Sequence, residues 1–248
     1  MLYLAMMYEE VFLGELFTKG DRSIAFLSRI IYNKRDKKEV IRMAYGYAKA
    51  IQNRIGAAPD GTIFIVSDFS DVADSETIRR NLNRLVQAGT LRRILKGVFE
   101  KPKFSKLLGE YVAADPDAVA KALARCYHWT IAPCGDTALN MLGLSTQVTA
   151  VWSYISDGPY KTYEWDKTKI EFKHRTNKEV TGLSSMTILV IQALKTLGKE
   201  HVDEKTIRVL SHRLNEDEKT ALLAEGAEAT DWIYTVIKEI CKGEREND

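Results

Sequence analysis

The chain has only three cysteines in 248 residues, Cys126, Cys134 and Cys241, and no CxxC pair. That excludes a disulfide framework and fits thiols kept reduced in a cytoplasm. Its four histidines, His128, His174, His201 and His212, fall at no HExxH or zinc-finger spacing, so a histidine metal site is not expected. A P-loop and a GxGxxG are both missing, and Gly143-Leu144-Ser145-Thr146 lacks the frame of a hydrolase elbow. Cys134 beside Gly135 has no evident histidine partner and reads as a small core residue. No apolar run approaches the roughly 18 residues of a membrane span. The opening MLYLAMMYEEVF is apolar but lacks a basic leader and is interrupted by Glu9 and Glu10, which argues against a secretory signal. A cytoplasmic protein without membrane contact is expected.

Net charge is also scarce, at +2, but it is unevenly placed. Residues 75–101 hold seven basic side chains against Glu76 and Glu100, a local net of +5. Residues 202–248 hold twelve acidic and seven basic side chains, a net of −5. One region suits a polyanion and the other does not.

The chain reads as three parts: an extension of unassigned role (1–38), a DNA-binding unit (39–104) and a C-terminal domain (105–248). Within 39–57, Val40, Ala44, Tyr47, Ala48 and Ile51 make a helical stripe. A short strand, Ile63–Val66, precedes a helix entry expected at Ser67-Asp68-Phe69. Asp74 or Ser75 can cap the next helix, with Glu76 in its positive first turn. Ile78, Leu82, Leu85 and Val86 form its apolar face, and Gly89 is placed to stop it. Two strands, Thr90–Ile94 and Val98–Lys101, then turn about Lys96-Gly97. The order predicts a winged helix-turn-helix. After a basic connector, Lys103–Lys106, Asp115-Pro116 starts a helix to about Tyr127. A second helix covers Thr137–Leu142, strands occupy 148–175, and helices follow at 185–197, 203–213, 215–225 and 230–241. The fold expected is α+β: a winged helix, then helices around a small, mainly antiparallel sheet.

The candidate site lies on the third helix of the winged unit. Ser75, Thr77, Arg79 and Arg80 near its start can reach base edges or phosphates, and Asn83, Arg84 and Gln87 extend that side. Arginine matches guanine O6/N7 with two parallel donors, and asparagine matches adenine N6/N7. Arg92, Arg93 and Lys96 on the wing would hold phosphates or line an adjacent minor groove.

The stretch SDFSDVADSETIRRNLNRLVQAGTLRRILKGVFEKPKF resembles the N-terminal winged helix of AbiEi-family antitoxins, the antitoxin half of type IV toxin–antitoxin (abortive infection) systems. TIAPCGDTALNMLGLSTQV, YISDGPYKTYEW, KIEFKHRTNKE and IQALKTLGK extend the resemblance over roughly residues 39–241. It implies a repressor of its own operon bound at that operon's promoter; helix-turn-helix proteins read inverted repeats as dimers or bind two sites cooperatively, so promoter DNA with inverted repeats and a homodimer on it are expected. It also implies a C-terminal domain that counteracts a nucleotidyltransferase-like toxin, with no stable complex required. No catalytic residue, metal or cofactor is expected.

Two other classes stay open: a stand-alone regulator with a ligand- or partner-sensing C-terminal domain, and a metal-dependent nuclease. For the nuclease, Asp157 and the later Glu171-Phe172-Lys173 outline a D…ExK set in which two carboxylates hold Mg²⁺. Asp157-Gly158-Pro159 also reads as an ordinary turn. Trp152, Tyr154, Tyr160, Tyr163 and Trp165 form a dense aromatic group, by default a core, alternatively a stacking platform for nucleic acid. The stripe Trp232, Ile233, Val236, Ile237 and Ile240 reads as core, or, if exposed, as a protein contact.

Overall fold

The computed structural model describes residues 45–147, 149–175 and 182–242. The extension expected at 1–38 lies outside them, as do the first residues of the helix expected at 39–57. The chain divides after Ala57 into two units. Of the first, residues 45–57 are described and are helical (α1). Ile51 and Ile55, one turn apart, are its buried side chains.

The second unit opens with β1 (Ile63–Ile65) and a 3-10 turn, Val66–Phe69. Then come α2 (Ser75–Gln87), β2 (Arg92–Leu95) and β3 (Val98–Glu100). The Asp74 carboxylate accepts from the amides of Glu76 and Thr77, both at 3.0 Å, and so starts α2 where Asp-Ser in the sequence places a cap. Ile78, Leu82 and Leu85 are buried as the stripe predicts; Val86 is only half-buried, and Asn81 is buried in its stead. Asn81 tolerates this because its side-chain amide donates to the Thr77 carbonyl at 2.9 Å. The strands form an antiparallel sheet in the order β1-β3-β2. Gly97 turns the wing at φ +82°, a left-handed conformation that glycine adopts without steric cost.

The expected basic connector is instead partly a hairpin, β4 (Phe104–Ser105) and β5 (Glu110–Tyr111). Its strands are too short for an alternating pattern to register. Phe104, Leu107, Leu108 and Tyr111 are exposed on it.

α3 (Pro116–Tyr127) begins at an Asp115 cap with proline in the first turn, as expected. β6 (Ile131–Pro133) and α4 (Asp136–Met141) follow. β7 (Trp152–Ser156), β8 (Lys161–Trp165) and β9 (Thr168–His174) complete a four-stranded sheet in the order β6-β7-β9-β8. β6–β7 and β8–β9 pair antiparallel, whereas β7–β9 pair parallel. The β8–β9 hairpin folds back so that β9, not β8, lies beside β7.

The two sheet faces differ. One carries Tyr154, Ile170, Phe172 and Trp165 into a core shared with Val119, Ala120 and Leu123 of α3 and with Ile63, Ile65, Ile94 and Val98 of the winged helix. This hydrophobic core therefore spans the boundary expected at residues 104/105. The other face is covered at β6 and β7 by α5 (Ser185–Leu197), through Ala132, Cys134, Ile155 and Ile188. On β8 and β9 it presents the ion pairs Lys169–Glu164 and Lys173–Glu171.

The remaining helices are α6 (Glu204–Arg213), α7 (Glu216–Glu225) and α8 (Asp231–Lys242). With α4 and α5 they enclose a second core of Leu142, Leu194, Leu210, Leu222, Ile233, Ile237 and Ile240. The molecule is α+β, as expected. Among the described residues, no helix is long and apolar enough to cross a membrane.

Candidate nucleic-acid interface

An open groove of about 850 Å³ runs between α2 and the wing. Ser75, Arg79 and Asn83 line it from α2, Arg93 and Lys96 line it from the wing, and Ile78 and Phe99 lie between them. Arg79, Arg93 and Lys96 are exposed, and among the described residues no acidic side chain lines the groove. Three cations with no acidic neighbour among the described lining residues make a field that attracts an anion.

The two banks are joined. The Arg93 guanidinium donates to the Asn83 side-chain oxygen and lies 5.7 Å from the centroid of the Phe99 ring. A cation held over an aromatic face is pre-oriented yet remains exposed. The helix and the wing thus meet the same side of the molecule with fixed spacing.

The other expected site residues fall elsewhere. Arg80 and Arg84 are exposed on α2 beside the groove rather than in it. Arg80 pairs with Glu76 one turn earlier at 3.0 Å, both side chains exposed, an interaction too solvated to immobilise it strongly. Thr77 is half-buried and serves the cap. Its side-chain and backbone hydrogen bonds hold the Asp74 carboxyl below the ordinary carboxylate value. Arg92 is placed by the strand alternation away from Arg93, on the inner side of the wing. Its Nε donates to Glu100 Oε2 at 2.9 Å and its Nη2 to the Val112 carbonyl at 2.9 Å. Glu100 is buried. Burial pushes its carboxyl up, against the opposing pull of the Arg92 hydrogen bond and charge. Arg92 neutralises a buried acid, a role that its place in a basic cluster does not reveal.

The sequence also hides a third bank of the groove. Cys126 and Tyr127, at the end of α3, also line it. Nothing in the local pattern flags them, because they lie some forty residues beyond α2, past the expected domain boundary.

The D…ExK residues are not brought together. Glu171 is opposite Ser153 in the β7–β9 register and Ser156 opposite His174, so Asp157 lies about four residues along, roughly 13 Å away at strand rise. Carboxylates sharing a Mg²⁺ must both reach within about 2 Å of it. Asp157 accepts from the Thr130 amide at 2.9 Å, and Glu171 pairs with Lys173 at 3.5 Å. Among the described residues, no three His, Cys, Asp or Glu cluster as a metal set. Gly158 has a packing reason: a Cβ there would lie 2.4 Å from the Trp129 ring.

The aromatic group divides. Tyr154 and Trp165 are core, Trp152 and Tyr163 are half-buried against it, and Tyr160 is exposed. Cys134 is buried, and burial pushes its thiol up, away from nucleophilic character. Ile233, Ile237 and Ile240 of α8 are fully buried, with Trp232 and Val236 packed beside them, so the terminal stripe is core.

The profile of a protein family described only as being of unknown function, DUF6088, matches residues 50–222, more than half of the chain. No curated protein matches the chain.

Proposed function

The chain belongs to the DUF6088 family, whose description assigns no activity, and we propose that it is a DNA-binding protein that represses its own operon. The observation that carries this reading is the groove: Arg79 from the helix and Arg93 and Lys96 from the wing share one concavity that no acidic side chain lines among the described residues. Cationic side chains on two neighbouring elements match the arrangement by which a helix enters the major groove while a wing holds the backbone. Repression is steric, since a bound protein at a promoter excludes polymerase. The role we propose for the whole molecule is the antitoxin of a type IV toxin–antitoxin system, acting in the cytoplasm against a nucleotidyltransferase-like toxin. That part rests on the sequence resemblance to AbiEi-family antitoxins.

The test of the DNA reading is binding of a duplex taken from immediately upstream of the gene. Arg79→Ala with Arg80→Ala is expected to abolish the shift at moderate salt. Reversing the charge of Arg93 weakens binding to every sequence and flattens its salt dependence. Unchanged affinity in the double variant refutes the assignment. For the antitoxin role, a neighbouring nucleotidyltransferase gene is expected to be toxic alone and tolerated when this chain is co-expressed. Toxicity unrelieved by the chain rejects that role.

A further inference from the structure

Resting on the reading of the groove as a DNA site, we propose that the C-terminal half supplies its third wall: Tyr127 and Lys161 contact the same duplex that α2 and the wing hold. DNA recognition then extends beyond the winged helix.

The position of that wall is fixed from both sides. Arg125, in the last turn of α3, reaches Asp68 Oδ2 at 3.4 Å and the Ile63 carbonyl at 3.5 Å. The end of α3 is thereby tied to β1 and to the 3-10 turn that precedes the recognition helix. From the other side, the Tyr127 ring stacks on Trp129, with centroids 4.7 Å apart and planes at 22°. Trp129 in turn meets Phe172 edge-on at 5.5 Å and fills the space above Gly158 that a side chain would occupy. One face of Tyr127 is therefore taken up by protein, while the residue remains 44% exposed and lines the groove.

A cation stands beside it. Lys161, exposed on the edge strand β8, holds its ammonium 5.9 Å from the Tyr127 ring centroid and 5.7 Å from that of Tyr163. Among the described residues it has no ion-pair partner. A lysine over aromatic rings is held near one place without losing its charge. An ammonium held beside a tyrosine ring at the edge of the groove is suited to phosphate oxygens, and such contacts fix register on a duplex without reading bases. The turn around Gly158 and the aromatic neighbours of β8 thus acquire a purpose beyond packing: they set the height of this wall.

The test uses the full chain and a fluorescent duplex from immediately upstream of its gene, with affinity measured across a salt series. Lys161→Glu is expected to weaken binding about tenfold near 0.1 M salt, and Lys161→Ala about threefold. Each lowers the log–log salt slope by about one. Lys161 is exposed, so neither variant threatens the fold. Tyr127→Ala, checked by its melting curve, is expected to weaken binding in the same direction. Arg79→Ala with Arg80→Ala serves as the reference. If the reference variant loses binding while Lys161→Glu keeps both affinity and slope, the third wall is refuted and the groove reading survives. If neither variant changes binding, the groove reading falls and the third wall with it.

Discussion

The helices α2 and α8 are near twins by length and pattern, yet they serve different ends. α2 runs Ser75–Gln87 and buries Ile78, Leu82 and Leu85; α8 runs Asp231–Lys242 and buries Ile233, Ile237 and Ile240. Either stripe alone says only that one side faces a core. Their outer sides differ. α8 mixes Asp231 and Glu239 with Lys238 and Lys242, and Lys238 lies 4.2 Å from the ring centroid of its own neighbour, Tyr234. α2 sets Arg79, Arg80 and Arg84 against the single Glu76, and the wing beside it adds more cations rather than answering them. A balanced outer face is a solvated one. A mostly cationic face that borders a groove lined by further cations carries an electrostatic cost that an anionic partner relieves.

If the comparison holds, changes in the bundle cost stability and changes in the groove cost binding. The largest effect is expected from Ile237→Ala, which removes a fully buried side chain. It should cost about 3 kcal/mol in denaturant unfolding while the folded fraction still binds duplex. Arg92→Ala sharpens the division inside the basic cluster itself. It strands the buried Glu100 and should cost about 2 kcal/mol, below the range for fully buried pairs because Arg92 is about one-third exposed.

The same site gives a pH dependence. Burial raises the Glu100 value above its ordinary 4.5, so the native state holds the proton to higher pH than the unfolded chain. Stability is then highest below that ordinary value and falls as pH rises through the raised one. Glu100→Gln should flatten this segment of a pH–stability curve measured by urea midpoint; an unchanged slope would contradict the burial argument. Ser184→Ala removes a cap that accepts from the Thr187 amide at 3.3 Å and should cost about 1 kcal/mol. Arg93→Ala is expected to move stability least, by about 0.5 kcal/mol or less, while duplex affinity drops. A large stability loss at Arg93 together with normal binding would dissolve the contrast between the two regions.

Much of this division was legible along the chain because it is written in short-range terms. Asp74 and Asp115 cap the helices they precede, Gly89 and Gly198 stop the helices they follow, and the Lys96-Gly97 turn makes the wing. These features depend on residues within a few positions of one another. The hairpin at Phe104–Tyr111 was not legible, since two-residue strands carry no period. The parallel pairing of β7 with β9 was also hidden, because it follows from where the β8–β9 hairpin folds back rather than from either strand's composition.

The sequence by itself determined where most of the helices and longer strands lie, which sides are greasy, and that residues 75–101 concentrate positive charge, because spacing and local hydrogen bonding decide such things. Only the tertiary structure decided what each charge faces. Alternation across the pleat sent Arg92 inward to Glu100 and left Arg93 on the groove. The shared core of the winged helix, α3 and the second sheet carried Tyr127 to a bank that no local pattern could assign, since contacts between distant residues arise from packing and not from sequence proximity.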